Sequence, residues 1–199
     1  MRHRAIPLAA LTGLLSLAVA SASQAQTRWT FDREASSVTF RVRHLVVSTV
    51  EGRFAAFDVR VTGAAPDFAD ASISATVELA SVATGDRERD EDILKPAFFD
   101  AARFPRASFR STRVEPAGRD RWRMSGELTL KGTTRPVTFD VRREPDGRGR
   151  HRFRATATVD RFDFGIRHNP VVEAGGAVIA RDVDLSLEIA LEPDAGEGR

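Results

Sequence analysis

From Ser36 onward the apolar residues of this chain recur at every second position, and that period leaves few folds open. Successive side chains of an extended strand point to opposite faces, so such a stretch reads as a strand with one buried and one wet face. Val38, Phe40 and Val42 alternate with Thr39, Arg41 and Arg43, and Ile73, Ala75, Val77 and Leu79 with Ser74, Thr76 and Glu78. The same period runs through Trp122, Met124, Leu128 and Leu130, through Val137, Phe139 and Val141, through Phe153, Ala155, Ala157 and Val159, and through Val183, Leu185, Leu187, Ile189 and Leu191. Turn residues join these runs: Asp146-Gly147, 63–66, 116–118 and Lys131-Gly132. Glycine accepts the positive φ that tight hairpins demand. The expectation is an all-β antiparallel meander that either closes into a barrel or stacks as a sandwich. Periodicity alone does not choose between them.

One segment, 86–103, departs from the period. Its first half is almost wholly charged and ends in Ile93 and Leu94; Pro96 then suits the first turn of a short helix. Phe98, Phe99 and Phe104 follow closely. This reads as a helical excursion that folds its rings onto the mouth of a barrel, or as a plug that only completes the core.

Residues 1–25 have the layout of a cleaved secretory leader: Arg2 and Arg4, an apolar run, then small residues ending at Ala25. The apolar run is shorter than the roughly 20 residues a spanning helix needs. The expected organisation is a leader (1–25), one domain (26–193) and a fraying tail (194–199), with a periplasmic, secreted product. The chain has no cysteine, which excludes disulfides, thiolate metal sites and a lipidated N-terminal cysteine. Lys+Arg 30 stands against Asp+Glu 28, and loss of Arg2 and Arg4 makes the two signs equal. Without a net or clustered positive field, nucleic-acid binding is excluded as a working reading.

Catalysis finds little support. His44 is in phase with the apolar residues of its strand and points inward, His151 lies on the wet side or edge of its strand, and His168 sits in a loop. No pair has metal-ligand spacing. The carboxylate pairs Asp90/Asp92 and Asp182/Asp184 read as solvated surface, and no serine has a Gly-x-Ser-x-Gly setting. No catalytic residue, metal or catalytic cofactor is therefore expected, and the interior itself becomes the candidate site. A barrel of about eight strands is wide enough for one slender ligand. Its lining would be Phe40, Val42, His44, Phe54, Val77, Leu79, Phe109, Met124, Leu128, Phe139, Val141, Ala155 and Ala157, the two alanines leaving a lane along the axis. A filled sandwich core stays equally open on periodicity.

Three stretches then narrow the choice: Thr84-Gly85-Asp86-Arg87-Glu88-Arg89-Asp90 with Phe98-Phe99-Asp100 and Phe104-Pro105, Gly126 through Val137, and Asp160-Arg161-Phe162-Asp163-Phe164-Gly165-Ile166. Together with Ser36 through His44 they closely resemble the YceI-like family of secreted, lipocalin-like isoprenoid-binding proteins. The resemblance runs from Trp29 to Leu191. It implies an eight-stranded up-and-down barrel with a helix near its opening, and an apolar lumen holding a long isoprenoid or quinone tail, with Phe99 and Phe164 added to the lining. It also implies a periplasmic carrier or reservoir, a tendency to dimerise, and transient contact with the membrane or a respiratory protein. Two departures stand out, since the family often has histidine where this chain has Ala35 and Asp92. A stress or interaction protein with an incidental cavity, and an enzyme acting on a lipid in the barrel, are the alternatives.

Overall fold

The computed structural model describes residues 28–44, 48–63, 68, 71–145, 150–169 and 179–193. The expected leader and tail, and the 146–147 and 64–66 turn residues, lie outside them. In chain order the elements are β1 (Arg28–His44), β2 (Ser48–Phe54), β3 (Phe57–Thr62), β4 (Ser72–Glu78), β5 (Val82–Ala83), α1 (Arg87–Ile93), β6 (Arg106–Gly118), β7 (Arg121–Leu130), β8 (Thr133–Glu144), β9 (His151–Asp160) and β10 (Ile179–Pro193). Long β1 pairs with β2 along one half and with β3 at its start, so β2 and β3 act as one kinked stave. β4 and β5, parted by a 3-10 turn at Leu79–Ser81, act as another. Eight staves result, all antiparallel, and β10 closes the ring on β1.

Closure settles the choice between barrel and sandwich. It runs along nearly all of β1, from Trp29 opposite Pro193 to His44 opposite Ile179. Two irregularities interrupt it, a short one between Val42 and His44 and a longer one between Asp32 and Ser37. At the longer one the Ala35 N–H donates to Asp32 Oδ1 at 3.0 Å, the Ser36 hydroxyl donates to the Asp32 carbonyl, and the Ala190 N–H donates to Ser36 Oγ at 2.9 Å. These bonds satisfy the backbone groups that a bulge removes from the ladder.

The barrel is filled unevenly along its axis. Its lower end, bearing Trp29, Trp122 and Leu191, is solid: Phe57, Val59, Val61, Phe68, Phe153 and Ile189 are buried there with them. Phe68 meets Trp29 at 4.9 Å between ring centroids and Phe153 at 5.0 Å. His151 belongs to this plug: of its two expected places it takes the edge of its strand and not the wet side. As the first residue of β9 it shares the inward phase of Phe153, and its ring meets Trp29 edge-on at 5.1 Å.

Burial, and secondarily the nearby Arg143 charge, pulls the His151 pKa below its ordinary 6.5. The unfolded chain therefore takes up a proton more readily than the folded one, and stability falls as pH drops below 6.5. We expect His151→Leu to flatten the loss of stability between about pH 7.5 and about 5.5, measured by urea midpoints; an unchanged slope would remove His151 as its source.

Candidate functional site

The upper half of the barrel, bearing His44, Leu130 and α1, is hollow. A cavity of about 410 Å³ is walled by Val38, Phe40, Val42, Val77, Leu128 and Leu187, among other aliphatic and aromatic side chains. Small side chains at Ala75 and Ala107, on the neighbouring staves β4 and β6, make room along one wall. Exposed His168 and Asp92 border the cavity together with half-buried His44 and Arg89, which marks the rim at this end.

Glycines inside alternating strands seat the rings. A Cβ at Gly126 would lie 2.4 Å from Phe109 Cζ and 2.4 Å from the Arg110 carbonyl oxygen, so the Phe109 ring lies directly on the β7 backbone. It then meets Phe139 edge-on at 5.1 Å. Phe139 is 3% exposed and packs with buried Met124, Ala155 and Phe164. These rings form the floor of the cavity. Phe40 lies on Gly52 in the same manner, with a Cβ there 2.2 Å from Phe40 Cζ. A glycine within a strand is a signature of such close approach.

The 84–90 motif is a staple for the lid. Asp86 caps α1 by accepting the Arg89 N–H at 3.1 Å, while Asp90 accepts the backbone N–H of Thr84 at 2.8 Å and its hydroxyl at 2.7 Å. Arg89 Nε donates to Thr84 Oγ1 at 2.8 Å. Thus anchored, the excursion brings Phe99 to 6.2 Å from Phe54, and both rings face the cavity. The tip of the β7–β8 hairpin holds the far end. Lys131 and Gly132 take φ of 50° and 70°, the left-handed turn the sequence suggested, and Lys131 Nζ donates to the Pro96 carbonyl at 2.7 Å. The Phe104 ring packs on Gly132.

The third motif builds the rim. Asp160 accepts the Phe162 N–H at 2.8 Å and so starts a 3-10 turn, Arg161–Phe164. The hydrogen bond from Arg181, then that N–H, holds the Asp160 carboxyl below the usual carboxylate range. Arg161 is 5% exposed and borders the cavity. It donates to the carbonyls of Ile166 at 2.7 Å, His168 at 2.8 Å, Ala180 at 2.8 Å and Ile179 at 3.1 Å. Burial lowers its pKa, offset in part by the Asp160 charge. One guanidinium thus ties three chain segments together at the rim.

Of the expected lining, Phe40, Val42, His44, Phe54, Val77, Leu79, Phe99, Phe109, Leu128, Phe139 and Phe164 border the cavity. Met124 and Ala155 lie in the packed cluster around Phe139 that makes the floor, with Val141 against it. Ala157 is half-buried and packs against the same cluster, and it also borders a groove on the outer surface. The lane is therefore made by Ala75 and Ala107, because the cavity occupies only the upper half while Ala155 sits at the height of the floor. Sequence reasoning left Ala75, Ala107, Leu130, Val159 and Val183 off the lining, although all but Ala107 stand in its apolar alternation. Arg161 was visible only within a motif. Of the two departures from family histidines, Asp92 is at the rim, whereas Ala35 sits in the β1 irregularity.

The outer groove, about 830 Å³ and open, is less suited to a ligand. Its polar groups pair with one another: Arg41 with Glu51 at 2.7 Å, Thr158 with Asp184 at 2.6 Å, Arg154 with Glu188 at 2.5 Å. No group of three His, Asp or Glu side chains suited to a metal exists among the described residues. His44 and His168 both border the cavity, whereas Asp163 does not.

The YceI-like domain pattern matches residues 29–191. The chain belongs to the YceI-like family. A UPF0312 protein of Staphylococcus aureus (strain MSSA476) is 34% identical over 173 residues, 83% of this chain and 98% of the relative. The crystal structure of BcnA from Burkholderia cenocepacia superposes with TM-score 0.72 at 25% identity, covering 81% of this chain and 99% of that one. A domain from Saccharophagus degradans, described as polyisoprenoid-binding and implicated in plant cell wall breakdown, shares the fold with TM-score 0.58 at 16% identity, covering 83% of this chain and 98% of that one. In this YceI-like barrel the stretches that carry the resemblance thus fall on the lid, the floor and the rim of one cavity.

Proposed function

We propose that this protein holds the isoprenoid tail of a lipid, a polyprenyl chain or the tail of a quinone, in the upper half of its barrel, and that it serves as a periplasmic carrier or reservoir. The observation that carries the reading is the cavity of about 410 Å³ whose walls are apolar and whose polar groups gather at the rim. That is the pattern of a site that grips by shape and orients by a few polar contacts. At about 0.8 kcal/mol per CH₂ moved out of water, a prenyl tail crosses an aqueous compartment only when something replaces the membrane around it. The polyisoprenoid-binding description of the Saccharophagus degradans domain supports the ligand class. The leader-like layout of 1–25 supports the compartment.

The test is to express the full chain, recover it by osmotic shock, and extract it with organic solvent for mass spectrometry. A prenyl-containing lipid should emerge in near-stoichiometric amount. A protein that emerges empty and takes up no prenyl lipid when offered would overturn the ligand; one that stays in the membrane with its leader uncut would overturn the compartment.

A further inference from the structure

We infer that the rim of the cavity selects a neutral head group, an alcohol or a quinone carbonyl, over a phosphate or diphosphate on the same prenyl tail. This inference rests on the reading of the cavity as a prenyl-tail site.

Five side chains that carry charge or can take it up border the cavity: His44, Arg89, Asp92, Arg161 and His168. A protein site for phosphate calls for cations with donors to spare, typically an arginine that presents two parallel N–H groups. Neither arginine here has them. Arg161 spends Nε, Nη1 and Nη2 on the four carbonyls it ties together. Arg89 gives Nε to Thr84 Oγ1 at 2.8 Å and Nη2 to the Thr84 carbonyl at 3.5 Å, and the Asp86 carboxylate 3.8 Å away balances its charge. Its Nη1 alone is left.

The third ion has the wrong sign for a phosphate. Asp92 pairs with Lys95 at 2.5 Å, and of the two it is the carboxylate that borders the cavity. An anionic head would lose water there and face a like charge. Neighbouring cations are committed elsewhere: Lys131 to the Pro96 carbonyl at 2.7 Å, Arg103 to Asp100 at 3.2 Å, Arg181 to Asp160, and Arg167 over the Phe162 ring. Residues 45–47 and 170–178, which follow His44 and Asn169 in the chain, contain no lysine or arginine and one acid, Glu173.

What remains suits a neutral oxygen. The backbone carbonyls of His44 and His168 accept from Ser48 and Arg161, but neither imidazole makes a hydrogen bond among the described residues; that of His168 meets Phe98 edge-on at 5.0 Å. A neutral imidazole both donates and accepts. Two of them with one guanidinium nitrogen can satisfy a hydroxyl or a carbonyl, and leave a multiply charged group without counterions.

Farnesol and farnesyl diphosphate share one tail and differ only at the head. We would bind radiolabelled farnesol to the purified, lipid-stripped protein and displace it with unlabelled farnesol or farnesyl diphosphate, in buffer free of detergent and magnesium. Farnesol should compete at least tenfold better. Farnesyl diphosphate that competes as well as farnesol, or better, would overturn the head-group selection and leave the prenyl-tail reading standing. No binding of farnesol or of its diphosphate would overturn that reading and the selection with it. Asp92→Lys, confirmed as folded by circular dichroism, sets a second ammonium beside Lys95 and should narrow the preference for farnesol at least threefold; an unchanged preference in the folded variant would overturn the assignment of the selection to rim charge. The wild-type comparison stands whether or not that variant folds.

Discussion

Arg161→Ala should destabilise the protein by roughly 3 kcal/mol or more, the largest effect expected of any single rim residue. Its guanidinium is buried and donates to four carbonyls on two segments: the stretch after the 3-10 turn, at Ile166 and His168, and the start of β10, at Ile179 and Ala180. Hydrogen bonds to a charged donor contribute about 1.5–3 kcal/mol each, and a buried acceptor left without a partner costs about 1–3 kcal/mol. Even if water replaces half of them, the loss is several kcal/mol. Arg161→Lys should recover little, since one ammonium cannot span the fork of donors that the planar guanidinium presents. Urea unfolding of both variants checks this. A midpoint within about 1 kcal/mol of the parent would show that the carbonyls find other partners and that Arg161 is not what holds the rim.

The second large effect is on binding. Ala107→Phe should abolish most prenyl uptake, at least tenfold, with little change in the stability of the empty protein. Ala107 is half-buried, opposite Val77 on the cavity wall. Its substitution sends a phenyl ring into a lumen of about 410 Å³. Ala155→Phe makes the useful contrast. That alanine is 6% exposed, lies in register with Val141 and Leu187, and packs with Phe139 and Met124. A ring there overpacks a filled region and should cost about 1–3 kcal/mol or more. The pair thus separates a hollow from a packed position on the inward face of one barrel. An Ala107→Phe protein that unfolds, or that keeps its full lipid load, would show that residue 107 does not face the ligand space.

That contrast also measures how far the sequence could be read. Strand phase was legible: Val38, Phe40 and Val42, and likewise Phe139 and Val141, turn inward as their alternation requires, because a period of two is imposed by the extended backbone itself. The left-handed turn at Lys131-Gly132 and the helical excursion after Asp86 were legible from local signals, but the helix, Arg87–Ile93, ends before Pro96 and does not start there. Asp86 as a helix cap and Gly126 as a ring seat carried signals that were readable in principle, a capping side chain before α1 and a glycine inside a strand. Their purpose was not readable, since it depends on Phe109 arriving from another strand.

By itself, then, the sequence determined that this protein is an antiparallel β structure, which residues of each strand face in, and, through its motifs, the family to which it belongs. Tertiary structure alone decided the rest. Whether the sheet closes depends on β10 meeting β1 across most of the chain, a contact that no local pattern encodes. Whether an inward residue faces space or neighbours depends on its height along the barrel axis, which shear and strand tilt set only when all eight staves are in place. Ala107 and Ala155 look alike in a strand pattern. One stands above the Phe109–Phe139 floor and one beside it, and that difference in height is what makes the upper half of the barrel a well and the lower half a plug.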